Sequence, residues 1–175
     1  MLQDLSDGHY HMATILKGSG DLRGAVESFR RAAAIEERQS AADPDNAEVR
    51  DRLAESYLNL AGALTGAARA DEALTLTQKA VALCDELAKA DPENPVRQAF
   101  LAEAERQRGD ALTRVAAGRA GSSRLATWRE ARQAYERSIA LWRPLEAKGL
   151  LEPADKEMLA ASEAGRARSK AALER

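Results

Sequence analysis

The sequence predicts an all-α fold built from helical hairpins, and three observations carry that reading. Apolar residues make up 45% of the chain and charged residues 31%, yet aromatics reach only 4% and alanine is abundant. That mixture suits closely packed helices better than an aromatic-rich sheet core. Only five prolines (Pro44, Pro92, Pro95, Pro144, Pro153) interrupt the 175 residues, and the Ala/Glu/Arg/Leu stretches between them contain no β-branched runs. Finally, the chain repeats itself: Asp43-Pro44-Asp45-Asn46 returns as Asp91-Pro92-Glu93-Asn94, and 91 minus 43 is an offset of 48 residues. Self-similarity at a fixed period marks a stacked repeat architecture.

The same offset aligns Leu5 with Leu53 and Leu101, Met12 with Leu60, Ala13 with Ala61 and Gly109, and Leu16 with Leu64 and Leu112; Arg108 breaks the third copy of the Met12 slot. In the helix that follows, Ala25 matches Ala73, Ala32 matches Ala80, and Ile35 matches Leu83. Within a unit, Leu53, Tyr57, Leu60, Ala61 and Leu64 step by three and four residues, which is one stripe of an α-helix.

Helices are therefore expected at about 1–18, 22–42, 46–66, 70–90, 95–116, 127–143 and 154–173. Asn94 before Pro95 places a capping side chain ahead of a proline at the first helical position, where its missing N–H costs nothing. By the repeat, Asn46 is expected to cap in the same way. Pro144 is expected to end or kink the helix before it.

One domain is expected, divided into units at about 1–43, 46–91 and 94–148, with an inserted loop at about 117–126 and a capping helix at about 153–174. The insertion follows from the spacing, because 131 minus 73 is 58, ten more than the period. Met158, Leu159 and Leu173 on a charged final helix suit a lid over the apolar end of a stack. The first helix opens without a capping residue, as expected of a segment trimmed from a longer protein.

A formal net charge of −2 predicts no general attraction to nucleic acid or membrane, but the charge is uneven. Residues 106–143 hold nine arginines against Asp110, Glu130 and Glu136, a local +6 that leaves −8 elsewhere. Cys84 is the single cysteine, which excludes an internal disulfide and a cysteine-based zinc cluster. With Leu83 and Leu87 beside it, Cys84 is expected to be a buried, unreactive thiol. No charged leader with an apolar run opens the chain, and no stretch approaches the roughly 18–20 apolar residues of a membrane helix, so a soluble, cytoplasmic chain is expected.

Candidate chemistry is thin. His9 and His11 stand two residues apart on a helix, face different ways and lack a third ligand, so they do not form a metal site. Lys17-Gly18-Ser19-Gly20 has phosphate-binding residue types in the wrong order and after a helix, and reads as a helix-ending turn. The glycines, serines and arginines of 118–124 could wrap an anion, but a solvated inserted loop is the simpler reading. No serine elbow and no carboxylate pair in an apolar setting is present, so no catalytic residue, cofactor or metal is expected. Trp128, Tyr135 and Trp142 recur every seven residues, a packing seam before it is a base-stacking platform.

On these slots the chain resembles the tetratricopeptide repeat (TPR) family. Met12, Ala13 and Leu16 take its Leu-Gly-Tyr slots, Gly20 the turn, and Ala25, Phe29 and Ala32 its Ala-Phe-Ala slots. Leu60, Ala61, Leu64, Ala68, Ala73, Thr77 and Ala80 follow in the second unit, then Gly109, Leu112, Ala131, Tyr135 and Ser138 in the third. Family units hold about 34 residues, so these longer units depart from the pattern by about two turns per helix.

The long units and their linkers, with Trp128-Arg129-Glu130-Ala131, Tyr135-Glu136-Arg137-Ser138, Leu141-Trp142 and Lys148-Gly149-Leu150-Leu151, resemble the repeat regions that follow bacterial serine/threonine kinase domains. That resemblance implies a scaffold or sensor tail of a larger signalling protein, periplasmic if the parent is a membrane-spanning receptor kinase. None of the catalytic kinase motifs is in this chain.

The family resemblance implies a right-handed α-solenoid whose concave groove binds a peptide or protein. It places the groove on Asp7, Tyr10, Thr14, Lys17, Glu55, Leu58, Asn59, Gly62, Thr65, Glu103, Arg106, Asp110 and Thr113. Lys17 and Arg106 would pair ligand carboxylates, Asn59 would bind ligand backbone, and Tyr10 with Leu58 would supply apolar anchors. The family's grip on a terminal carboxylate is not carried over, because Asp7, Glu55, Glu103 and Asp110 oppose it. Two alternatives stand beside the peptide module: self-association, as in a homodimer, and a less favoured RNA- or phosphate-binding array using the arginine-rich third unit. No membrane partner is expected.

Overall fold

The computed structural model describes residues 2–174. Seven α-helices follow one another: α1 (Leu2–Gly18), α2 (Leu22–Ala42), α3 (Ala47–Gly66), α4 (Ala70–Ala90), α5 (Pro95–Ala117), α6 (Gly121–Ala147) and α7 (Pro153–Leu173). The chain is all-α: the described residues form no strand, and none of their helices is long and apolar enough to cross a membrane.

The linkers between the hairpins are built to one local plan. Asn46 caps α3 by accepting from the Val49 N–H at 3.2 Å, and Asn94 caps α5 by accepting from Val96 and Arg97 at 3.1 and 3.3 Å. Each asparagine also donates its amide N–H to the preceding aspartate, Asn46 to Asp43 and Asn94 to Asp91, both at 3.0 Å. The repeated Asp-Pro-x-Asn is thus a clasp that satisfies helix-end N–H groups and fixes where each new hairpin begins. Asp21 caps α2 through Gly24 at 2.9 Å. The helix ends use left-handed residues: Gly149 at φ 70°, with the Leu150 N–H returning to the Leu145 carbonyl at 3.0 Å, and Ala68 at φ 59°, with Arg69 returning to Leu64 at 2.9 Å.

Two expectations are corrected. The inserted loop is only residues 118–120; the extra length goes into α6, which begins at Gly121 and is 27 residues long, against 21 for α4. Thr127 binds the Ser123 carbonyl and accepts from Arg119, each at 2.9 Å, so the inserted residues are drawn onto the helix. Pro144, expected to end or kink its helix, does not end it, because α6 runs on to Ala147. A proline so near a helix end forfeits one bond, to the exposed Ala140 carbonyl, and water can satisfy that group.

Contacts gather into two compact units, Met1–Leu83 and Cys84–Arg175. In the first, α2 packs against α1 and α3. Ser6 meets Glu36 while Tyr10 meets Phe29 nearer the turn, the order of an antiparallel pair. Ala13, Ala25, Ala32, Ala54 and Ala61 are at most 1% exposed, so the backbones approach closely while Phe29, Leu53, Leu60 and Leu64 fill the gaps.

In the second unit, α6 packs against α5 and α7, and α5 also touches α7. Trp142, Ile139, Leu145, Leu151, Leu159 and Ala102 form one buried cluster. Ser138 donates to the Ala102 carbonyl at 2.7 Å and lies 2.9 Å from the Ser162 hydroxyl. Cys84 is buried.

One buried acid in the first unit has a measurable consequence. Glu36 is 4% exposed; it accepts from Ser6 at 2.7 Å, and its second oxygen has no partner. Burial pushes its carboxyl above the ordinary range, against the lowering effect of Ser56, Ser6 and Arg52. The folded state therefore holds this proton to higher pH than the unfolded state, and the contribution of Glu36 to stability falls as pH rises from the unfolded value through the raised folded one. Glu36→Gln is expected to match the wild type near pH 4 and to exceed it by about 1 kcal/mol at pH 7, the scale of a buried group left unsatisfied. Urea melts at the two pH values check this; a wild type that gains on the variant as pH rises would refute it.

Candidate functional site

In the first unit, the expected groove positions of α1 and α3 meet on one face. Its centre is Tyr10, whose hydroxyl donates to Glu55 at 2.8 Å and accepts from Asn59 Nδ2 at 3.1 Å. Asn59 Nδ2 also donates to the Glu55 carbonyl at 3.1 Å. Both amide N–H groups of Asn59 are thereby used, and its Oδ1 is left as an acceptor. The Tyr10 phenol is pushed up to about 12, first by burial and then by Glu55, so it stays a neutral donor at physiological pH. The Tyr10 ring packs edge-on against Phe29, 5.6 Å between centroids, which anchors the polar array to the core.

Further along the same face, the Lys17 ammonium lies 3.7 Å from where a Cβ on Gly62 would stand. Asp7 and Thr14 are exposed on α1, and Thr65 is half-buried on α3. Thr14 and Thr65 turn their hydroxyls back to the carbonyls of Tyr10 and Ala61, at 3.0 and 2.9 Å. Leu58 is not on this face: at 3% exposure it belongs to the interior, one helical step from Ala54 and Ala61, and offers a ligand no anchor.

The four remaining groove positions lie on α5 in the second unit. Arg106 donates to both oxygens of Glu103, at 2.6 and 2.7 Å, and also to Asp110. Burial lowers the basicity of Arg106, but the Glu103 hydrogen bonds and the charges of Glu103 and Asp110 outweigh it and raise its pKa. Asp110 in turn accepts from the Tyr135 hydroxyl at 2.6 Å, and Thr113 lies 3.3 Å from that hydroxyl. This cluster commits its one cation to two carboxylates and keeps a net charge of −1. The receptor for ligand carboxylates expected at Arg106 is already filled by Glu103 and Asp110.

Two features lay outside the sequence expectations, the burial of Glu36 and the glycine contacts of Tyr135, whose packing role the Trp128–Tyr135–Trp142 seam anticipated. Glu36 follows Ala25, Phe29 and Ala32 at the helical step, and that phase is the signal that it is buried. Tyr135 is fully buried between two glycines: a Cβ on Gly109 would come within 2.7 Å of its ring, and one on Gly165 within 2.4 Å. Gly109 stands in the repeat pattern; the signal for Gly165 is a glycine in the middle of an otherwise alanine-rich helix.

Fold and site together define an all-α protein of antiparallel helix pairs with a polar face on the first helix of each pair. No family model matches the chain, and no curated protein does. Among solved structures it is similar to a kinesin-light-chain protein of Podosopora anserina with nearly identical TPR-like repeats: 22% identity over 99% of this chain and 92% of the other, with a TM-score of 0.42. A single-substitution form of that same protein gives 21% identity over 99% and 91%, with a TM-score of 0.40. The fold described above rests on the helix pairs themselves.

Proposed function

We propose that the chain is a non-enzymatic protein-interaction module that holds an extended or helical peptide against the α1/α3 face. The observation that carries this reading is the Tyr10–Glu55–Asn59 array. It ties two helices together and sets the amide oxygen of half-buried Asn59 beside the exposed Glu55 and Lys17. Asn59 Oδ1 suits a ligand backbone N–H, Lys17 a carbonyl or carboxylate, and Glu55 with Asp7 a basic side chain. A ligand of mixed charge fits best.

Selection of a random-peptide display library on the immobilised chain tests the reading. Lys17→Glu and Asn59→Ala are each expected to weaken a selected peptide at least tenfold, about 1.4 kcal/mol, with unchanged far-ultraviolet circular dichroism. Undiminished binding by both variants would remove the face from the proposal. Arg106 is a poor probe, because reversing it would gather unpaired carboxylates on α5.

The resemblance of the last third to kinase-associated repeats supports a role in the tail of a signalling protein, and the upstream coding sequence tests that context. A nucleic-acid array is disfavoured by the pairing of the arginines. Of the nine in residues 106–143, five engage carboxylates within the chain: Arg106, Arg108, Arg132, Arg137 and Arg143. Too few are left to build a phosphate-tracking stripe.

A further inference from the structure

Between α2 and α4 the first unit holds a cleft of about 430 Å³ floored by α3. Ala33 and Ala34 line one wall, Leu76 the other, and Leu60 and Leu64 the floor. At 100° per residue, Tyr57 and Leu60 in the cleft each stand about 200° around α3 from Asn59 and Gly62, so the cleft is separate from the face proposed for peptides.

Ion pairs between the two walls bridge the cleft at both ends. Arg30 reaches Glu72 at 2.7 Å at one end, and Lys79 reaches Glu37 at 3.6 Å at the other. The two bridges are seven residues apart on either helix, about 10 Å at 1.5 Å per residue. An apolar space of that length and volume suits a discrete small molecule, whereas a continuing peptide would run into the bridges.

The Glu37 end is built to receive a cation. The Tyr57 hydroxyl donates to Glu37 Oε1 at 2.5 Å, and burial, followed by Glu37 itself, raises the phenol pKa and keeps it neutral. The Lys79 ammonium lies over the Tyr57 ring, 5.2 Å from its centroid, within the range of a cation–π contact. Tyr57 and Lys79 both use Oε1, which leaves Glu37 Oε2 open as an acceptor.

The same seat returns in the second unit, where it is held more tightly. Allowing for the ten inserted residues, Arg137 takes the slot of Lys79, and Glu105 takes that of Tyr57. Glu105 is engaged by Arg137 at 3.4 Å and by Arg108 at 3.0 Å. The first seat is held by Lys79 at a looser 3.6 Å, with that side chain 52% exposed. So exposed a pair contributes little, and an incoming cation displaces it at small cost.

We infer that the cleft binds a small hydrophobic amine, with its ammonium seated between Glu37 and the face of Tyr57 in place of Lys79. Its apolar body lies along Leu60, Leu64 and Leu76.

Amide chemical-shift titration at pH 7 with three probes of one shape, 4-phenylbutylamine, 4-phenylbutan-1-ol and 4-phenylbutyrate, tests this. The amine is expected to bind with a dissociation constant of about 1 mM, the scale for a ligand of about eleven non-hydrogen atoms. The alcohol should bind at least fivefold more weakly and the carboxylate not at all. Glu37→Gln should bring the amine level with the alcohol. Lys79→Gln removes the internal competitor and should tighten the amine severalfold while leaving the alcohol unchanged. Ala34→Phe, placed on an exposed wall position, fills the cleft and should abolish uptake of both. A wild type whose cleft amides do not move at about 10 mM amine, tenfold above the expected constant, overturns the proposal. An amine that binds no better than the alcohol, or a Lys79→Gln variant that binds it more weakly, does so too. The peptide-face variants Lys17→Glu and Asn59→Ala should take up the amine like the wild type, so failure of either reading leaves the other standing.

Discussion

Gly165→Ala is expected to destabilise the second unit by about 3 kcal/mol, toward the upper end of what overpacking a core costs. On helix propensity alone the change should help, since alanine is favoured over glycine by about 1 kcal/mol inside a helix. The structure reverses that sign. A Cβ at Gly165 would stand 2.4 Å from two ring atoms of Tyr135, and the same ring atoms also crowd Gly109, where an added Cβ would come within 2.7 Å. The phenol end is also held, by donation to Asp110 at 2.6 Å. Chemical denaturation of Gly165→Ala, Tyr135→Ala and the double variant separates the effects. In the Tyr135→Ala background the new methyl meets space, so its cost should largely vanish. A neutral or stabilising Gly165→Ala in the wild-type background would mean that the ring is not clamped.

Trp142→Ala is expected to cost about 3–5 kcal/mol, the range for emptying a large aromatic side chain from a core. Trp142 is 1% exposed at the centre of the cluster with Ile139, Leu145, Leu151, Leu159 and Ala102. It therefore joins α5, α6, α7 and the segment between the last two helices. Its indole N–H has no partner, so the side chain contributes by packing alone. Trp142→Phe keeps most of that packing and buries no orphan donor, and should cost less than half as much. Thermal and urea unfolding compare the two. Equal losses from both variants would contradict a packing role.

Most helix bounds were legible because the apolar period and the Asn caps act locally. Asn46 and Asn94 do the same work 48 residues apart, and each can be read from its own neighbours. The features that escaped depend on distance or context. A surplus of ten residues says that something is inserted, but not whether it coils or lengthens a helix; the answer lay in how Thr127 binds Ser123 and Arg119. Pro144 signals a break, yet it removes only its own N–H bond, and the carbonyl left over, on exposed Ala140, is open to water. On the candidate site, Glu103, Arg106 and Asp110 stand three and four residues apart, so their pairing could have been read from spacing. The approach of Tyr135 to Asp110 could not, since it depends on the packing of α6 against α5. Leu58 was assigned to the groove through the family pattern, although its own phase with Ala54 and Ala61 marks it as interior.

The paired clasps at Asp43–Asn46 and Asp91–Asn94 bear on how such a chain can change size. Each joint is encoded within four neighbouring residues and needs no distant contact to set the start of the next helix. A gene segment copied from one clasp to the next would therefore arrive with its own splice instructions. Arrays of this kind can lengthen or shorten in whole hairpins while the older ones keep their shape.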